Sequence, residues 1–189
     1  MPTIKLIVGS TRPVRVGGQL VDGLVSTLAK ASGADVEVVD LRELDLPFLA
    51  EPQQASTGVY TLDSTKQWSR IVSEADGIVW LTPEYNGGFT APIKNAIDHL
   101  YAEWDAKPTL VIGYGWGGAA RAVANLVQIL GNVKANVVTD AVTMAFGDNA
   151  PQDGQVTNPL AIVEANEAAL TAAAQALAEA IEGDDEAAA

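Results

Sequence analysis

Five short apolar runs recur along the chain, TIKLIV (3–8), DVEVVD (35–40), GIVWLT (77–82), PTLVIGY (108–114) and ANVVTD (135–140), each bounded by turn residues. Runs of this length and β-branched content predict strands buried on both faces. Between them lie longer segments with helical spacing. VGGQLVDGLVSTLAKASG brings Leu20, Leu24, Val25 and Leu28 to one face and stops at Gly33, a residue suited to a left-handed C-terminal cap. LDSTKQWSRIVSEADG gathers Trp68, Ile71, Val72 and Ala75 behind Asp63, which is placed to cap the start. GGAARAVANLVQILGN and PLAIVEANEAALTAAAQALAEAIEG supply two more helices. Parallel neighbours need crossover connections, so this alternation predicts a doubly wound α/β fold with helices on both faces. Five strands suit the order 2-1-3-4-5.

At 189 residues the chain is expected to form one domain, over residues 1–182, with GDDEAAA (183–189) as a solvated tail. It has no cysteine, which excludes thiol catalysis and thiolate metal sites. Its single histidine, His99, cannot build a histidine-rich zinc site. No metal ligands are therefore assigned. A formal charge of −13 with no basic patch argues against a nucleic-acid partner. The first apolar run is too short to span a bilayer or to form a signal-peptide core, so no membrane partner and a cytoplasmic location are expected.

In such a sheet, ligands gather outside the C-terminal strand ends near the point where strand order reverses. Three loops should meet there. GSTRPVRVGGQL (9–20) offers the Ser10 hydroxyl, the forks of Arg12 and Arg15 and the amides of a helix start, as a phosphate monoester requires; a Gly/Pro-rich turn with solvated arginines is the plainer alternative. PEYNGG (83–88) has turn residues in Asn86 and its glycines, but turn geometry does not require Tyr85 or the following Phe89, and a planar ligand could lie against them. Pro92 suits the first turn of the next helix. In GYGWGGAAR (113–121), Gly113, Gly115 and Gly118 satisfy GxGxxG, with Asp140 about 20 residues on. Too little chain follows to complete a dinucleotide sheet, so the loop reads as a flexible wall carrying Trp116 across from Tyr85, or as a glycine turn with a surface tryptophan.

Taken together, GSTR, PEYNGGFTAPIKNAID and GWGGAARA resemble the NADPH-dependent FMN reductase family of flavodoxin-like proteins over most of residues 3 to 140. The resemblance implies a flavodoxin-like fold, FMN as cofactor and NADPH or NADH as co-substrate. It implies that Ser10, Arg12, Arg15, Val16 and Gly17 surround the FMN phosphate. Pro83, Glu84, Tyr85 and Asn86 would edge the ring and ribityl chain, with Gly115, Trp116, Gly117 and Gly118 on the other side. Arg15, Gly17 and Trp116 depart from the commoner residues of the family. A small-molecule electron acceptor and a homodimer or tetramer are implied as well. Hydride would pass to the flavin and then to a quinone, azo compound, metal oxyanion or free flavin by ping-pong kinetics. No catalytic side chain is assigned; amides of the third loop and its helix start are expected to stabilise charge on the reduced ring.

Alternative readings are a flavodoxin-type electron carrier and a Rossmann-type NAD(P) enzyme built on GYGWGG. A receiver module and an α/β hydrolase lack their required residues here. His99 beside Asp98 reads as a solvated or interface histidine, and Leu100, Tyr101 and Trp104 suit either a subunit contact or the core. MAFGDNAPQDGQVTNP (144–159) is left as a lid or a return to the last helix.

Overall fold

The computed structural model describes residues 1–138 and 141–188, with side chains through Asp184. The strands are β1 (Thr3–Val8), β2 (Asp35–Asp40), β3 (Gly77–Pro83), β4 (Pro108–Gly115), β5 (Asn136–Val137) and β6 (Val142–Ala145). The helices are α1 (Gly17–Ser32), α2 (Leu41–Leu44), α3 (Asp63–Ser73), α4 (Ala91–Asp98), α5 (Ala120–Asn132), α6 (Pro159–Glu164) and α7 (Glu167–Ala188). All pairings between named strands are parallel, in the order β2-β1-β3-β4-β5, with β6 also on β4. This is the expected flavodoxin-like order. Among the described residues no helix is long and apolar enough to cross a membrane.

The fifth strand differs from expectation. β5 pairs with Pro108 and Thr109, the pairing lapses, and β6 resumes it opposite Ile112 to Gly115. Only the second half of β6, Met144 and Ala145, falls in the polar connection expected over 144–159. β6 pairs because Val142 and Met144 face inward while Thr143 and Ala145 face out, an alternation too short to stand out in the sequence. Asp140, expected to complete a dinucleotide fingerprint, lies outside the described residues. β2 also departs from the two-sided burial expected, since it is an edge strand and Val38 is 45% exposed.

Side-chain alternation along the central strands divides the core into two layers. Val79 and Leu81 face α1, α6 and α7, packing with Leu20, Leu24, Leu28, Ile162 and Leu177. Ile78 and Trp80 face the other side with Trp68, Ile93, Ile97, Trp104 and Leu126. Three indoles meet there, with ring centroids 6.0 Å apart for Trp68 and Trp104 and 5.7 Å for Trp80 and Trp104. Two of them also terminate α4: the Trp68 indole N–H donates to Ala96 O at 2.8 Å, and that of Trp104 to Ile97 O at 3.1 Å. The Ala96 carbonyl at the helix end thereby gains a donor, while that of Ile97 also accepts the Leu100 N–H at 3.3 Å. Leu100 and Trp104 are core residues, and His99 is buried too, contrary to the solvated or interface reading; its Nδ1 lies 2.7 Å from Asn95 O.

Two caps bear on the sequence reading. Gly33 takes the left-handed C-cap of α1 as expected (φ 69°). Asp63 instead occupies the first turn of α3, after Leu62 at the cap position. Glu51, reaching across the preceding loop, accepts the Leu62 N–H at 2.9 Å and the Thr61 N–H at 2.9 Å.

Candidate functional site

The C-terminal ends of β1, β3 and β4 open onto a cleft of about 650 Å³, walled by the three loops and by residues from the β6–α6 connection. β1 is followed by Gly9, whose N–H donates to Leu81 O at 2.9 Å. A larger residue would have to displace Ile93, since a Cβ there would lie 2.2 Å from Ile93 Cδ1 and 2.6 Å from its Cγ1. The Gly9 carbonyl accepts the Thr90 hydroxyl at 2.6 Å, and the same hydroxyl accepts the Ile93 N–H at 3.4 Å, capping α4. One threonine thus ties the first loop to the helix after the second.

Ser10 is almost fully buried at the cleft floor, with its Oγ 2.7 Å from the Tyr85 Oη. Behind it stands Tyr114, also buried; burial raises its phenol well above the usual range, although hydrogen bonds to the Ser10 side chain and Gly17 backbone oppose the shift. Gly17 opens α1 so close to this phenol that a Cβ would lie 2.5 Å from Oη. α1 starts without a side-chain cap and without an acidic residue in its first turn. Its terminal amides therefore lack the internal anion that usually occupies such a position.

The two arginines of the first loop behave differently. Arg15 donates through Nη1 to Ser10 O at 2.7 Å and to Asp40 Oδ1 at 2.9 Å, and Nη2 pairs with Asp40 Oδ2. Its fork braces the loop from behind, tying it to the end of β2. Arg12 is exposed, lines the cleft and has no ion pair among the described residues.

The second loop is a tight turn. Tyr85 N donates to Gly88 O at 2.9 Å and Gly88 N to Tyr85 O at 3.1 Å, with Asn86 at φ 53° and Gly87 at φ 84°. Positive φ at both central residues is the type I′ geometry that Asn-Gly favours. The turn aims Pro83, Glu84 and Tyr85 at the cleft, while Asn86 is exposed outside its lining.

In the third loop, Gly115, Trp116 and Gly117 line the cleft and Gly118 does not. Gly113 is a strand residue; a Cβ there would meet Val123 at 2.5 Å and Gly118 O at 2.6 Å. Gly118, at φ 67°, would meet Thr143 at 2.7 Å. Two of the three GxGxxG glycines therefore serve close packing. Trp116 is 75% exposed, with its ring edge-on to Phe146 at 5.8 Å. The α5 start already holds an anion: Glu84 Oε2 accepts the Arg121 N–H at 3.1 Å and the Ala122 N–H at 3.4 Å. That engages the helix-terminus amides expected to stabilise the reduced ring. Glu84 Oε1 accepts the Arg121 Nε–H at 2.9 Å, and this Arg121 hydrogen bond is the largest cause holding the carboxyl below its ordinary range.

Tyr114, Phe146, Pro151, Gly154 and Arg121 also line the cleft without having been singled out in the sequence. Pro151 and Gly154 belong to the connection after β6. Gln152 and Gln155 exchange backbone hydrogen bonds of 2.9 and 2.8 Å, forming a second tight turn. Gln19 fastens it to α1 by donating to Gly154 O at 2.8 Å and accepting the Val156 N–H at 3.0 Å. An Asp-Gly pair at 153–154 was the available signal for this turn, but nothing local marked its position beside the first loop.

The pattern of the NADPH-dependent FMN reductase family matches residues 2–149. An NAD(P)H-dependent FMN reductase of Schizosaccharomyces pombe is 38% identical over 138 residues, covering 72% of this chain and 69% of that protein. The NAD(P)H-dependent FMN reductase of Saccharomyces cerevisiae is 36% identical over 146 residues, covering 71% and 76%. Among solved structures, the flavoenzyme NAD(P)H:(acceptor) oxidoreductase FerB of Paracoccus denitrificans superposes with a TM-score of 0.70 at 26% identity, covering 97% and 98% of the two chains.

Proposed function

Since the chain belongs to the NADPH-dependent FMN reductase family, we propose that it is an FMN-dependent oxidoreductase drawing electrons from NADPH or NADH. The observation that carries this reading is the mixed lining of the cleft. It brings the Ser10 hydroxyl, Arg12, which has no ion pair among the described residues, and the start of α1, which has no side-chain cap, together with the aromatic rings of Tyr85, Trp116 and Phe146. A phosphate monoester linked to a flat aromatic ring matches both kinds of group.

In this assignment Ser10, Arg12 and the Val16 and Gly17 backbone hold the phosphate, while Arg15 keeps the loop in shape through Asp40. Pro83, Glu84 and Tyr85 edge the ring and ribityl chain, Asn86 and Gly118 fix the turns that present them, and Gly115, Trp116 and Gly117 close the far side. When bound, FMN supplies the redox chemistry, accepting a hydride from the nicotinamide and delivering two electrons to an acceptor. The chain's part is to bind, orient and exclude water. No side chain is assigned a proton-transfer step. Both substrates are taken to use the same mouth, which favours ping-pong kinetics with a quinone, azo compound, metal oxyanion or free flavin as acceptor. A cytoplasmic homodimer or tetramer with one site per chain, each chain a single domain over residues 1–182 followed by a short tail, completes the proposal.

The test is an absorption spectrum after FMN is added and the excess removed by gel filtration, followed by anaerobic NADPH. Retained flavin bands that bleach on NADPH addition are expected. Protein that emerges colourless while binding nicotinamide dinucleotide would overturn the reading.

A further inference from the structure

Across the cleft from the first loop stands Arg121, and its assignment rests on the flavin reading above. With a formal charge of −13 the molecule repels a polyanionic co-substrate, so attraction must come from local cations. Three line the cleft: Arg12, Arg15 and Arg121. Arg15 is committed to Asp40 and the Ser10 carbonyl, and Arg12 stands beside the start of α1, where one phosphate suffices to occupy it. Arg121 remains. It follows β4, separated from the first loop by β3, an offset of two strand spacings or about 10 Å.

Arg121 is exposed yet held. Its Nε and Nη2 both donate to Glu84 Oε1. The turn of the second loop lies alongside, where a Cβ on Gly87 would be 3.5 Å from the guanidinium carbon. Its Nη1 has no hydrogen-bond partner among the described residues, and the side chain is 76% exposed. Glu84 shares its charge between this fork and the α5 amides, and its two bonds to Arg121 leave Nη1 to donate elsewhere. The result is a solvent-exposed guanidinium at the cleft, fixed in orientation by one edge and with Nη1 left beside the Gly87 turn, an arrangement suited to a phosphate arriving from solvent.

We propose that Arg121 binds a phosphate of the nicotinamide dinucleotide, either the diphosphate or the 2′-phosphate, and that Glu84 positions it. NADPH and NADH distinguish these two sources, since only NADPH carries the 2′-phosphate.

The experiment compares wild type with Arg121→Ala and Arg121→Lys, all FMN-loaded. It measures KM and kcat for NADPH and NADH, calorimetric Kd for NADP+ and NAD+, and Kd for FMN. Arg121→Ala should raise KM and Kd for the dinucleotide by roughly 10- to 100-fold, well beyond any accompanying change in FMN affinity. Arg121→Lys, which keeps the charge but loses the fork, should recover part of the loss and stands in if the alanine variant fails to fold. Loss confined to NADPH assigns the 2′-phosphate, and equal loss with NADH assigns the diphosphate; either supports the proposal. Unchanged KM and Kd for both dinucleotides overturn it, as does an equal loss of FMN affinity. If wild type retains no FMN, the flavin reading falls, and calorimetry on the unloaded protein still decides: NADP+ binding weakened by Arg121→Ala supports the site, and binding that is unchanged or absent overturns it.

Discussion

At the scale of single residues, contacts with no spare room set the site. Gly17 is the clearest, because its missing side chain is where the Tyr114 phenol sits. Gly17→Ala should displace that phenol or the start of α1, lowering stability by about 1–3 kcal/mol and FMN affinity at least about tenfold. Thermal melts and an FMN titration check this. Gly18→Ala is the control, since its Cβ would meet only the Arg15 side chain, at 3.2 Å from Nε, and should perturb less. Glu51 gives a pH prediction. Burial works against its ionisation, but hydrogen bonds from the Thr61 side chain and the Thr61 and Leu62 backbone bring its pKa from the ordinary 4.5 down to about 2. A folded pKa below the unfolded one contributes stability that is complete above about pH 4.5 and lost as pH falls through about 2. Glu51→Gln should therefore melt below wild type at neutral pH, and the gap should close across that window. A gap independent of pH would count against the assignment.

Elements show which parts of the fold were legible and why. β1, β3, β4 and α1 were read closely because each carries a strong local signal: a buried apolar run, or apolar spacing ended by a left-handed glycine. The Tyr85–Gly88 turn was legible through Asn86 and Gly87. Tyr114 as a cleft residue was not, since nothing in PTLVIGY says that its last side chain turns towards α1. Arg121 was hidden for a similar reason: its importance comes from Glu84, 37 residues earlier, reaching across to the start of α5. The β6–α6 connection was the least readable because long-range bonds hold it. Gln19→Ala removes the side chain that receives Val156 N–H and grips Gly154 O. It should cost about 1–2 kcal/mol and speed hydrogen exchange at Val156 well beyond that at the α1 amides. Equal acceleration at both would show that the turn and the helix open together.

For the whole molecule, the question is whether the two core layers behave as one unit. Three of the four tryptophans, Trp68, Trp80 and Trp104, lie in the layer of α3, α4 and α5, so in a Trp116→Phe background the tryptophan fluorescence reports on that side of the sheet. Far-UV circular dichroism also sees α1 and α7 on the other side. The layers share β1, β3 and β4, whose alternate side chains enter opposite cores, so neither can lose its packing without stripping one face of the same strands. The two signals are therefore expected to trace one coincident transition. FMN sharpens the test, because its cleft takes Ser10 from the end of β1, Tyr85 from beyond β3 and Trp116 from beyond β4. A ligand held by all three should stabilise both layers equally. At about 100 times its Kd, FMN should add about 2.7 kcal/mol and raise the midpoint by roughly 5–10 °C in both signals. A rise in the tryptophan transition alone would mean that the layers unfold separately and that FMN is held chiefly by the side of α3 to α5.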